Sequence, residues 1–289
     1  MATIIFPGFA SKGLRDSLVS FAHTLRCDLA NRAKGYADAR SLPHMLSYSA
    51  PPVVCFQAFD NYLHGNLFPA SYKAIISNPE WRRRLTKVHT SARRSLPRRE
   101  TGRWRELDSC MSSDALRMNV FCYSRLLANA RVATALGLEL GLVPRFGFPA
   151  RVRLQNNQSD GTEVDMRLGD LLVEAKLTEG DFRRAEKAKL LRYRDFLDVF
   201  DEHRLPQSET NFNSYQLIRN VLAASASRCS FCVLLDARRP DLAEAFYVVV
   251  KCVRSVELRT SCRVLTWQEL ARALPPKLQT FLAGKYGIE

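Results

Sequence analysis

An aspartate, a tight turn and a Glu-x-Lys triplet lie together near the middle of this chain. They are Asp165, the pair Gly169-Asp170, and Glu174-Ala175-Lys176 in the run GTEVDMRLGDLLVEAKL. Glycine in the first position of a two-residue loop favours a hairpin, which would set Leu168 opposite Leu171 and Asp165 opposite Glu174. Side chains alternate along a strand, so Glu163, Asp165, Arg167, Leu172, Glu174 and Lys176 share one face. Val164, Met166, Leu168, Leu171, Val173, Ala175 and Leu177 share the other, and that face is wholly apolar and destined for a core. Like charges directly opposite each other, with Cβ atoms roughly 5 Å apart, repel unless a cation lies between them. A divalent metal is the natural occupant. Mg²⁺ prefers oxygen ligands, one or two of them carboxylates, which makes Asp165 and Glu174 candidate metal ligands, with Mn²⁺ as an alternative ion. Activating a water and neutralising charge on phosphorus oxygens is the chemistry of phosphodiester hydrolysis. Lys176 would serve there either as a base or as an electrostatic stabiliser, and the sequence leaves both roles open. In an isolated hairpin the same residues would read as a solvent-facing charge cluster; the apolar reverse face favours a site.

The flanking sequence must supply the elements that hold this hairpin. Thr178 to Glu202 reads as one helix, with Tyr193, Phe196, Leu197 and Phe200 at helical spacing. After a polar break at Pro206 to Asn211, a second helix starts at a cap on Asn213 or Ser214. It carries an apolar stripe of Ile218, Val221 and Leu222, with Gln216, Arg219 and Asn220 on another face. The apolar runs 230–236 and 245–253 read as buried strands. Upstream, Ser112 or Ser113 caps a helix through Met118, Cys122 and Leu126, and Arg145 begins the first strand, RFGFPARVRL. Asn78-Pro79 separates two further helices, and a capping box from Thr266 to Glu269 opens a short one closed by Pro275-Pro276.

In its Asp165, hairpin and Glu174-Ala175-Lys176, the chain resembles the PD-(D/E)xK nuclease superfamily, the restriction-endonuclease-like fold; Val164 stands where the motif's name has proline. The resemblance implies an α/β fold: an αβββαβ core over residues 111–289, with a mixed central sheet flanked by helices. A mainly helical, basic region over 1–110 would precede it. It also implies that Gln216 acts beside the metal, although Asn220 replaces the tyrosine of a Gln-x-x-x-Tyr motif, and that Arg219 contacts nucleic acid. Glu106 resembles an additional carboxylate that some members place near the metal, and Asp114 and Asn119 are weaker candidates. Glu163 faces Lys176 in this register, where it would tether the lysine or add a third ligand.

Bulk charge points the same way. The 289 residues hold 43 Lys and Arg against 29 Asp and Glu, a net charge of +14, which favours polyanions through counterion release. Candidate phosphate-binding residues cluster between two tryptophans, Trp81 and Trp104: Arg82, Arg83, Arg84, Lys87, Arg93, Arg94, Arg98 and Arg99. A solvated basic loop or linker is the plainer reading of that segment. A hydrophobic content of 46% argues against disorder. No stretch approaches the roughly 20 apolar residues of a membrane helix. The first residues lack the features of a signal peptide, so a cytoplasmic location is expected. Of eight cysteines only Cys229 and Cys232 show C-x-x-C spacing, and the five histidines form no ligand pattern, which argues against zinc. The expected activity is a Mg²⁺-dependent endonuclease acting on DNA. The alternative is a nucleic-acid-binding module that keeps the fold without catalysis. A cut through both strands needs two active sites, which a homodimer would supply.

Overall fold

The computed structural model describes residues 20–58, 63–89, 96–97 and 102–289. Arg93, Arg94, Arg98 and Arg99 lie outside the described residues. A five-stranded mixed sheet forms the centre, made of β1 (Arg145–Pro149), β2 (Glu163–Leu168), β3 (Leu171–Ala175), β4 (Ser230–Leu235) and β5 (Cys262–Thr266). Its strands lie side by side in chain order. β2 is antiparallel to both of its neighbours, β1 and β3, and β3, β4 and β5 are parallel. Antiparallel neighbours need only tight turns, whereas each parallel step needs a crossover. The helices α5 (Tyr215–Ser227) and α6 (Pro240–Val250) supply the crossovers.

The sequence suggested a strand over 245–253, but residues 245–250 instead belong to α6. Its buried residues Leu242, Phe246, Val249 and Val250 follow helical spacing, Pro240 sits in the first turn, and the place beside β4 goes to Cys262–Thr266. Thr178 to Glu202 is likewise not one helix. It breaks into short helices at Lys187–Leu191 and Phe196–Val199. Between them the backbone at Arg192 and Arg194 bonds to Gln155 and Arg153 instead of to its own helix. Tyr193, Phe196 and Phe200 are buried as their spacing suggested, but Leu197 is half exposed. The first strand also ends early, at Pro149, and residues 152–153 pair separately with 159–160.

Both faces of the central strands are covered. Leu172, Phe231, Val233 and Leu235 pack against α5, α6 and the 190–200 region. Leu171, Val173, Ala175, Cys232 and Leu234 pack on the other face, against α1 (Phe21–Asp38), α4 (Ser113–Phe121), α7 (Trp267–Ala271) and α8 (Pro276–Tyr286). Strands buried on both faces read as continuous apolar runs, which is how β3 and β4 read here. Val164 joins the first cluster and Met166 the second, although the sequence put them on one face. Two further helices, α2 (Pro69–Ser77) and α3 (Pro79–Arg82), precede a 3₁₀ turn at Arg83–Thr86; they divide at Asn78-Pro79 as expected, and the Asn78 side chain caps α3. Among the described residues no helix is long and apolar enough to cross a membrane.

Candidate active site

The hairpin closes in the register that its glycine implies: Leu168 opposite Leu171, Arg167 opposite Leu172, Met166 opposite Val173. The backbone ladder ends at that last pair, and Asp165 and Glu174 come one residue beyond it on their strands. There a side chain continues the ladder, for Asp165 Oδ2 accepts the Ala175 amide at 2.9 Å. The Lys176 amide donates to Leu234 O at 2.7 Å, and Trp267 Nε1 donates to Lys176 O at 3.1 Å, so the end of the Glu-x-Lys triplet is fixed from both sides.

Above this strand end lies α5. Its N-terminal residue before the first turn, Ser214, adopts a left-handed conformation and makes no side-chain cap. The free amides of Tyr215 and Gln216 donate instead to the carbonyls of Arg183 and Phe182. This docking brings Gln216 and, one turn later, Asn220 over β3. Lys176 Nζ is 2.9 Å from Glu174 Oε1 and donates to Gln216 Oε1 at 2.9 Å. Asn220 Nδ2 donates to Glu174 Oε2 at 2.9 Å. Asp165, Glu174, Lys176 and Gln216 thus all line one cavity of about 700 Å³, which Lys87 and Glu106 also line. Glu174 and Lys176 are buried, whereas the sequence placed them on an open polar face.

Beneath Asp165 lies a cation that the sequence reading missed. Arg117 of α4 is fully buried, its Nη1 3.1 Å from Asp165 Oδ1 and its Nη2 on Asp114. Asp114 in turn binds Arg84 Nη2 at 2.6 Å and Lys87 Nζ at 3.0 Å. The only signal in sequence is the i, i+3 spacing of Asp114 and Arg117 on one helix, a pattern common to many surface pairs.

These neighbours set the protonation of the site. Burial alone would raise the Asp165 carboxyl, but Arg117, Lys176 and the Ala175 amide outweigh it and hold it below the usual carboxylate range. Burial and the neighbouring Asp165 push Glu174 up, against the pull of Lys176 and Asn220. Burial opposes charge on Lys176, yet Glu174, Glu179 and Asp165 together keep its proton bound more firmly than in an ordinary lysine.

Other candidates fall elsewhere. Glu106 and Asp114 line the cavity, but Asn119 is buried outside it and accepts the Phe68 amide at 2.6 Å. Glu163 does not tether Lys176; past the end of the ladder it pairs with Arg84 at 3.3 Å. Arg219 is 1% exposed, its Nη2 bound to Ala150 O at 2.6 Å and to Thr162 O, with Asp160 3.6 Å from Nε. As placed it cannot reach a nucleic acid; it clamps the chain entering β2. Arg82 and Arg83 are exposed, Arg84 and Lys87 are engaged by Asp114, and Trp104 is buried with its Nε1 on Pro97 O.

The donor set suits the metal inferred from sequence. Two carboxylates from adjacent strands reach one polar cavity, matching the one or two that Mg²⁺ takes while water and substrate fill its other positions. No group of three or more His, Cys, Asp or Glu side chains is arranged as a metal cluster among the described residues. No curated protein and no solved structure matches the chain. A family model described as "Restriction Endonuclease associating with ARP" matches residues 32–287, nearly the whole length. With that match spanning the hairpin, α5 and every strand of the central sheet, the chain belongs to this restriction-endonuclease family.

Proposed function

We propose that this protein is a Mg²⁺-dependent nuclease that hydrolyses phosphodiester bonds in DNA, with β1–β4 and their helices as a restriction-endonuclease-like core. The observation that carries the reading is the convergence of Asp165, Glu174, Lys176 and Gln216 in one cavity of a chain with net charge +14. Asp165 and Glu174 would hold the ion, which when bound supplies a more acidic water and neutralises charge on the phosphate. Lys176, kept protonated by its carboxylate neighbours, fits the electrostatic role better than that of a base. Its ammonium is placed to stabilise charge that builds on the phosphorus oxygens. Gln216 accepts from Lys176 through Oε1, which leaves its amide nitrogen as a donor for water or phosphate. Arg117 and the Ala175 amide orient Asp165, and Asn220 orients Glu174. Exposed Arg82 and Arg83, with Lys87 at the cavity, offer cations to the backbone on either side of the cut.

Purified protein with Mg²⁺ should nick or cut DNA, and chelator should stop it. Asp165→Ala and Lys176→Ala should each abolish cutting while circular dichroism shows a folded chain. Cutting retained in both variants rejects these roles.

One observation favours a second reading, a nucleic-acid-binding module without catalysis. Arg117 and Lys176 already neutralise the two carboxylates internally. Calorimetry separates the two readings: heat from Mg²⁺ or Mn²⁺ binding that vanishes in Glu174→Ala supports the enzyme. DNA binding indifferent to metal supports the module.

A further inference from the structure

A second groove opens beside the candidate active site, between the segment Pro79–Thr86 and the edge strand β1. It encloses about 320 Å³ and shares Lys87 and Glu163 with the larger cavity, so the two are adjacent. Three aromatic residues line it: Trp81, Phe146 and Phe148. Trp81 is held in place by its Nε1, which donates to Pro144 O at 3.1 Å, and meets Phe146 edge-on with centroids 6.0 Å apart. At Gly147, with φ +59°, the Arg84–Glu163 pair packs directly on the backbone: a Cβ there would lie 2.5 Å from Arg84 Nη1 and 2.7 Å from Glu163 Oε2.

Cations stand at the rim. Arg83 and Arg145 are exposed, and among the described residues no acid pairs with either. Arg145 also lies directly opposite Arg167 across β1 and β2, and both guanidinium groups rest about 5 Å from the Phe148 ring centre. Like charges facing each other on adjacent strands are unfavourable unless an anion lies near; Asp170 Oδ1 is 3.7 Å from Arg167 Nη2, and among the described residues no acid pairs with Arg145. Phosphate is the anion that the neighbouring site would bring.

We propose that this groove seats an unpaired strand next to the scissile phosphate, so that the substrate is single-stranded nucleic acid or the single-stranded part of a branched one. The inference rests on the cutting site proposed above and adds the substrate class. In a duplex the base faces are stacked on one another, and an indole such as that of Trp81 meets a base face only in an unpaired strand. A groove with basic rims and an indole fixed in its wall suits a strand whose phosphates follow Arg83 and Arg145 while a base lies against Trp81.

The test is fluorescence anisotropy on the full chain without divalent metal, using a labelled single strand and the same sequence as a duplex, each across a salt series. The wild type should bind the single strand about tenfold more tightly. Arg83→Glu with Arg145→Glu should remove that preference and lower the salt slope for the single strand by about 1.4, two contacts at roughly 0.7 each. Trp81→Leu should weaken single-strand binding and leave duplex binding unchanged, and Arg272→Glu, an exposed site after α7, should change neither. Equal weakening of both forms in the double variant, or a wild type that prefers duplex or binds neither, overturns the groove. Cutting assays with Mg²⁺ keep the two readings apart. Single-strand preference without cutting of any substrate counts against the cutting site alone, and cutting of duplex unaffected by the double variant counts against the groove alone.

Discussion

Replacing Lys176 with methionine removes an ammonium and keeps most of the side chain's length. That ammonium is 2.9 Å from Glu174 Oε1, and both side chains are only 5–6% exposed. Deleting one partner of a buried pair leaves the other charge unpaired, at a cost of about 3–5 kcal/mol. Glu174 can relieve part of that cost by taking up a proton. Its carboxyl is already pushed above the ordinary 4.5 by burial and Asp165, and Lys176 is among the groups that hold it down. The native state of the variant therefore binds a proton that the unfolded chain releases near pH 4.5. A carboxyl raised in this way contributes its stability fully below the unfolded value and loses it as pH rises through the folded one. The variant should stay close to wild type near pH ~5 and fall away toward pH ~8. At about 2–4 °C per kcal/mol for a chain of this size, the loss above neutrality is roughly 6–20 °C in Tm. A stability near the middle of the usual range, about 10 kcal/mol, leaves the variant folded at room temperature, where its activity can be measured. Chemical denaturation of both proteins at the two pH values reads the effect. Equal losses at both would show that Glu174 is not the group left unpaired, and no loss at either would refute the reasoning from the buried pair.

Two other substitutions probe the fold around the site. Gly147→Ala should lower stability by about 1–3 kcal/mol, because φ +59° disfavours a side chain and the new Cβ displaces the Arg84–Glu163 pair; a chemical melt indistinguishable from wild type would contradict this. Lys285→Met acts elsewhere. Lys285 is buried among Tyr36, Phe56, Phe281 and Tyr286, with Gly65 O as its hydrogen-bond acceptor, and burial pushes its pKa well below 10.5. The native wild type then binds fewer protons than the unfolded chain, so its stability rises with pH up to about 10.5. The methionine variant should gain most over wild type at mildly acidic pH, with the advantage shrinking toward pH ~10. An advantage that does not vary with pH would count against a neutralised Lys285.

Local order was legible wherever one element's own pattern decided it. Gly169-Asp170 announced the hairpin and its register, the run 230–236 its buried strand, Ser112 and Thr266 their helix caps. Errors arose where a segment's partner lay far along the chain. The 245–253 run has the apolar content of a strand, and its helical spacing mattered only once β5 occupied the slot beside β4. Tyr193, Phe196 and Phe200 have helical spacing too, but the 153–155 backbone interrupts the helix they suggested.

For the site, sequence alone determined the chemistry on offer: two carboxylates and an ammonium brought to one strand end by a two-residue turn, in a chain rich in cations. Alternation and turn geometry act over a few residues, so they can be read without the rest of the chain. Only the tertiary structure decided which distant groups complete the set. Gln216 and Asn220 arrive because α5 docks its first turn on the carbonyls of residues 182 and 183, and Arg117 arrives because α4 packs under β3. The same packing turned Arg219 from a supposed nucleic-acid contact into an internal clamp. A guanidinium surrounded by carbonyls and one facing solvent are the same letter in the sequence, and only burial tells them apart.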